Sequence, residues 1–258
     1  MAVVTSVTDG PVCTITLGDE ARRNSLSREL TTELVAALKG AEADEAVRVI
    51  VLTNTGSTFC AGANLAERAP GDAATARSLD PLALFGRFRH SPKAYVGRIA
   101  GHCVAGGMGL AAGLDITVAA ASARFGFTEV RVGVAPAMIS VVCLPKMRAV
   151  DAQAAFLRGH RFSAAEAAAM GLITYAVPDD ELDATVNGVI EDLLAGSPRA
   201  IAAAKRLTAT VPTMDEDEAF AWTRALSADL FTSDEAREGM TAFLERRPAS
   251  WVEHRVDR

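Results

Sequence analysis

The stretch YVGRIAGHCVAGGMGLAAGLDITVA, Tyr95 to Ala119, decides the architecture. Tyr95 to Ile99 is a short apolar run of strand character, and the glycine turn Val104-Ala105-Gly106-Gly107-Met108-Gly109 follows it. An alanine-rich helix is predicted from Met108 to Leu114, and Ile116 to Ala119 reads as the next strand. Upstream, Val47 to Thr53 (VRVIVLT) is a β-branched run of the kind that sits in a sheet covered on both faces. It leads into an earlier glycine turn, Cys60-Ala61-Gly62-Ala63-Asn64. The repeated order of strand, turn and helix predicts an α/β fold with crossover connections.

Outside this centre, Val3 to Val7 and Val12 to Leu17 flank Asp9-Gly10-Pro11 and predict an opening hairpin. Ser27 followed by Leu30, Leu34, Val35 and Leu38 predicts a capped amphipathic helix ending at Gly40. After Pro178 the chain turns helical, with helices expected over 181–194, 198–208, 215–231 and 233–246. The expected organisation is a core over 1–195 and a helical region over 196–258, whose alanines and leucines suggest packing on another subunit. Residues 67–77 (ERAPGDAATAR) read as a mobile surface loop.

The chain has 258 residues, half of them hydrophobic, which is enough to bury a full core. With 26 basic and 32 acidic residues the net charge is -6, which gives no electrostatic reason to expect nucleic acid or an acidic membrane as partner. Cys13, Cys60, Cys103 and Cys143 lie far apart without CxxC spacing, so neither a zinc site nor a disulfide framework is expected and a cytoplasmic location fits. The four histidines show no metal-ligand spacing. Ile99 to Ala121 is apolar, but its glycines, His102 and Asp115 favour a buried strand-turn-helix over a membrane span.

Glycine turns between strand and helix let the backbone approach a ligand closely, and the helix start adds unpaired N–H groups and the positive end of its dipole. If the N–H groups of Ala63 and Gly106 meet at one point, they would hold the oxyanion of an acyl thioester enolate. Each turn alone is more often structural. Glu129, between apolar neighbours in Phe127-Thr128-Glu129-Val130, is either a solvent-facing strand residue or a partly buried acid usable near neutral pH. A rival reading is a dinucleotide site. Gly107-Met108-Gly109-Leu110-Ala111-Ala112-Gly113 is a GxGxxxG with Glu129 about twenty residues on, but no second half of such a fold follows.

Taken together, Arg23-Asn24-Ser25-Leu26-Ser27, Phe59-Cys60-Ala61-Gly62-Ala63-Asn64-Leu65, Ala100-Gly101-His102-Cys103-Val104-Ala105-Gly106-Gly107, Phe127-Thr128-Glu129-Val130-Arg131-Val132-Gly133 and Arg237-Glu238-Gly239-Met240-Thr241-Ala242-Phe243 resemble the enoyl-CoA hydratase/isomerase (crotonase) superfamily. The resemblance implies a spiral of ββα units with a helical C-terminal trimerisation region, assembled as a homotrimer or a dimer of trimers. It also implies an acyl-CoA thioester substrate, with no cofactor beyond the coenzyme A that the substrate carries.

Carried across by position, Glu129 would be the acid/base and Ala63 and Gly106 the oxyanion donors. Ala61 and Leu65 would hold the adenine, Arg22 and Arg23 would meet the coenzyme A phosphates, and Gly109 would stand in the substrate site. Two-carboxylate hydratases of the superfamily carry a glutamate where this chain has Gly109, and an aspartate is common where it has Asn64. One carboxylate suffices to shift a double bond from C3 to C2, so an isomerase stays open, as does a weakly catalytic acyl-CoA-binding paralogue. The string around Glu129 is also similar to bacterial hydratases acting on branched glutaconyl-CoA thioesters, whose second carboxylate Arg131 could meet if it faces the pocket.

Overall fold

The computed structural model describes residues 2–68 and 82–252. Most of the loop expected over 67–77 lies outside them. Ten strands and ten α-helices follow one another along the described chain. The strands are β1 (Val4–Asp9), β2 (Val12–Leu17), β3 (Val49–Asn54), β4 (Thr58–Cys60), β5 (Ala94–Ile99), β6 (His102–Val104), β7 (Ile116–Ala120), β8 (Arg124–Gly126), β9 (Phe162–Ser163) and β10 (Tyr175–Val177). The helices are α1 (Arg28–Ala43), α2 (Arg87–His90), α3 (Gly106–Gly113), α4 (Ala137–Cys143), α5 (Ala149–Arg158), α6 (Ala164–Ala169), α7 (Leu182–Ala195), α8 (Pro198–Thr210), α9 (Glu216–Phe231) and α10 (Asp234–Glu245).

A six-stranded sheet runs β1-β2-β3-β5-β7-β10, and a four-stranded sheet runs β4-β6-β8-β9. The first hairpin is antiparallel, Asp9 opposite Val12, while β2, β3, β5, β7 and β10 are parallel. All six residues of β3 are buried because both faces are covered. Ile50 and Leu52 join Leu34 and Leu38 of α1 in the main core, whereas Val49 and Val51 pack with Val186 and Ile190 of α7. The continuous apolar run in the sequence is the signature of such a strand.

The first helix begins where expected, with the Ser27 hydroxyl accepting from Leu30 N–H at 3.1 Å, but it runs past Gly40 to Ala43. One glycine costs a helix about 1 kcal/mol relative to alanine. Burial of Leu38 and Ala41 on either side outweighs that, by roughly 1.5–3 kcal/mol for a leucine alone. The helix at the centre starts two residues earlier than expected, at Gly106.

The start of β5 is tied to α8 by a cluster of charges. Lys205 Nζ on α8 lies 2.7 Å from Asp115 Oδ2 and donates to the Lys93 carbonyl, and Asp115 also accepts from Tyr95 N–H. Burial lowers the Lys205 pKa and raises that of Asp115, so desolvation outweighs their attraction in both partners. By contrast α9 buries none of its residues within the chain, and Phe220, Phe231, Phe243 and Leu244 of α9 and α10 are exposed.

Candidate active site

The two glycine turns meet. Gly62 has φ of +84°, and a Cβ there would lie 2.8 Å from the Gly106 nitrogen, while a Cβ on Gly106 would lie 3.6 Å from the Ala63 nitrogen and 2.9 Å from Leu26 Cδ1. Only bare backbone lets the chains approach so closely. The segment before α1 holds the first turn in place: Leu26 N–H donates to the Gly62 carbonyl at 2.7 Å, and Ala61 N–H donates to the Arg23 carbonyl at 3.1 Å. Asn24, buried and at φ of +49°, donates from its amide to the Thr58 carbonyl at 2.7 Å.

The second turn is fixed by a strained residue. Ala105 has φ 48° and ψ -125°, backbone that side chains rarely adopt, and its N–H donates to the Gly126 carbonyl at 2.9 Å. Helix α3 then starts with Gly106. Among the described residues neither the Ala63 nor the Gly106 N–H donates to another backbone carbonyl. Both residues line one cleft of about 770 Å³, together with Ala61, Leu65 and Glu129. Two uncommitted N–H groups, one at a helix start, suit a developing oxyanion.

Glu129 sits in a 3-10 turn, Thr128–Val132, rather than in a strand. It is half-buried, its Oε2 has no hydrogen-bond partner, and burial raises its pKa above the ordinary value. A carboxyl group held this way can take and return a proton near neutral pH. Nearby thiols do not compete as nucleophiles: Cys60, beside Ala61, is fully buried, which pushes its pKa up to about 12.

The remaining expected site residues are placed as follows. Gly109 does not line the cleft. Its place is covered by Ile139 of α4, which does line it: a Cβ on Gly109 would stand 3.0 Å from both Ile139 Cβ and Phe85 Cε1, and nearer to Ile139 Cγ2. Gly107 and Gly113 likewise back closely onto Cys60 and Phe88, so the GxGxxxG spacing serves packing of α3 rather than a dinucleotide. Arg22 lies outside the cleft, paired with Asp19 at 3.3 Å and Glu29 at 3.0 Å, and Arg23 contributes its carbonyl to Ala61. Asn64 caps the turn after it, accepting from Ala66 N–H and donating to Glu67.

The sequence profile of the Enoyl-CoA hydratase/isomerase family matches residues 8–254. The chain belongs to this family. It is 33% identical over 247 residues to enoyl-CoA hydratase EchA19 of Mycobacterium tuberculosis, covering 92% of each chain. It is 30% identical over 240 residues to 2,3-dehydroadipyl-CoA hydratase of Escherichia coli, covering 92% of this chain and 93% of that one. The crystal structure of an enoyl-CoA hydratase from Mycobacterium smegmatis superposes with a TM-score of 0.91 at 27% identity, over 98% of this chain and all of that one. The α/β architecture described above is thus the crotonase fold of the family.

Two residues of the site were not singled out from the sequence. Ile139 gave no signal because its role is contact with Gly109, thirty residues away. Arg161 also lines the cleft and stood unnoticed in a short polar segment before β9. Arg131 was singled out on the condition that it faces the pocket, and it does.

Proposed function

We propose that this member of the enoyl-CoA hydratase/isomerase family is an enoyl-CoA hydratase working with a single carboxylate. The observation that carries this reading is that Glu129 lines the cleft with Ala63 and Gly106 and keeps a buried carboxylate oxygen, Oε2, without a hydrogen-bond partner. The thioester carbonyl of a 2-enoyl-CoA would accept from the N–H groups of Ala63 and Gly106, which lowers the energy of the enolate by a few kcal/mol per donor. Ionised Glu129 would take a proton from water as its oxygen adds to C3. The same carboxyl would then return that proton to C2 as the enolate collapses, so one water adds across the double bond on one face. No cofactor is consumed, since coenzyme A arrives with the substrate.

In the same reading Ala61 and Leu65 take the adenine, and Arg22 and Arg23 stand near the phosphates outside the cleft. The exposed apolar residues of α9 and α10 support a homotrimer or dimer of trimers. No described helix is long and apolar enough to cross a membrane.

A 3,2-enoyl-CoA isomerase is the second reading, favoured by Ile139 filling the space beside Gly109 with hydrocarbon instead of a second carboxylate. There Glu129 would remove a proton from C2 and return it to C4. Purified protein given crotonyl-CoA and, separately, a 3-enoyl-CoA distinguishes them by absorbance of the conjugated double bond. Loss of the crotonyl-CoA signal is hydration, and gain of signal from the 3-enoyl thioester alone would replace the hydratase reading by the isomerase.

A further inference from the structure

Two arginines line the cleft, Arg131 and Arg161, and both side chains are exposed. Neither forms an ion pair with a described carboxylate. Arg131 follows Glu129 by two residues in the same 3-10 turn. Its Nε donates to the Gly159 carbonyl at 2.6 Å. Gly159 ends α5 with φ of +56°, and a Cβ on it would lie 2.6 Å from Val130 Cγ2 and 3.3 Å from Arg131 Cγ. The arginine stem therefore lies against bare backbone, anchored by Nε, and no hydrogen bond from its Nη atoms to a described residue holds the outer edge of the fork. Arg161 follows Gly159 by two residues and lines the same cleft.

A wholly aliphatic acyl chain gives such a pair nothing to bind. The rest of the cleft wall is largely apolar, with Val132, Val134, Pro136, Met138 and Ile139 among its residues. An anchored guanidinium with its outer edge free matches a carboxylate, which accepts two parallel N–H bonds. We propose that Arg131 and Arg161 receive the distal carboxylate of a dicarboxylic enoyl thioester, so that the preferred substrate is an acyl-CoA whose chain itself ends in an anion. This rests on the reading of the cleft as an enoyl-CoA site. The coenzyme A phosphates offer the same chemistry from the other end of the substrate, and the test separates the two sources.

The test uses saturated ligands, so that binding is read without turnover. Butyryl-CoA and glutaryl-CoA share the coenzyme A and differ at the end of the acyl chain. Calorimetric titration of the wild-type protein is expected to favour glutaryl-CoA by roughly tenfold or more, the size of one charge-assisted hydrogen bond. Arg131→Gln and Arg161→Gln should each collapse that ratio toward one, with Arg131→Lys intermediate. Equal affinity of the wild type for both ligands overturns the proposal. So does weakening of both ligands at an unchanged ratio, which would assign the arginines to the phosphates.

Parallel assays with crotonyl-CoA and glutaconyl-CoA keep the two readings apart. An arginine-dependent preference for glutaryl-CoA with hydration of neither thioester would sink the hydratase and leave the carboxylate site. Hydration of both with no arginine-dependent preference would do the reverse.

Discussion

Ile139 stands where a side chain on Gly109 would have to go. The absence of a second carboxylate is therefore matched by a packed wall, and the two positions are coupled. Gly109→Ala is expected to destabilise the protein by about 1–3 kcal/mol through overpacking, exceeding the roughly 1 kcal/mol that alanine gains in a helix. Ile139→Ala alone should cost about 2–5 kcal/mol. The double variant should cost less than the sum, because the new methyl group enters the space vacated. Urea unfolding of the three variants checks this, and strict additivity would mean that the two residues do not compete for one volume.

Glu129→Gln should reduce turnover by at least about a hundredfold while coenzyme A thioesters still bind. Its pH behaviour follows from burial, which raises the carboxyl pKa. Hydration starts from the ionised form, so the wild-type rate should fall as pH drops through the raised value, above the ordinary glutamate range. Stability runs the other way. Between the ordinary and the raised pKa the folded state binds more protons than the unfolded one, so this group's contribution declines as pH rises through that window and is level above it. Glu129→Gln should therefore be relatively more stable at pH 8 than at pH 4, measured by denaturant midpoints with unchanged slope.

Lys205 and Asp115 lie 2.7 Å apart in a mostly buried setting, away from the cleft. Removing one partner strands the other, so Lys205→Met is expected to cost about 3–5 kcal/mol. Adding Asp115→Asn should restore much of that loss, since the amide oxygen can still accept from Tyr95 N–H. The KM for crotonyl-CoA should remain unchanged in the double variant. A single variant as stable as wild type in thermal unfolding would show that the pair contributes nothing.

If α9 and α10 form the trimer contact, charges on their bare apolar faces should release monomers. Phe220→Asp combined with Phe243→Asp is expected to shift the mass measured by light scattering from three or six chains to one. Far-ultraviolet circular dichroism should be retained, because both side chains are exposed within the chain. An unchanged mass would move the contact elsewhere.

The strands and turns of the centre were legible because their residues encode their surroundings: β3 is apolar on both faces, and glycine stands where backbones must touch. The end of α1 was misread at Gly40, since local propensity is weaker than the burial of Leu38 and Ala41 beside it. The position of Glu129 in a 3-10 turn had no periodicity to announce it. Ile139 and Arg161 acquire their roles only through contacts across the fold. Composition near them carries no trace of that.

The hydrogen bonds from Leu26 to Gly62 and from Ala61 to Arg23 make one half of the proposed oxyanion pair depend on the segment just before α1, while Gly106 belongs to a helix eighty residues later. Chemistry is thus a readout of whether the two ends of this long loop have closed. A chain with Arg23 and Leu26 detached from this turn would keep its helices yet lose one proposed donor to the enolate. In a denaturant titration, turnover should vanish before the helical signal does, and activity lost only with the helices would show that this segment does not govern the site.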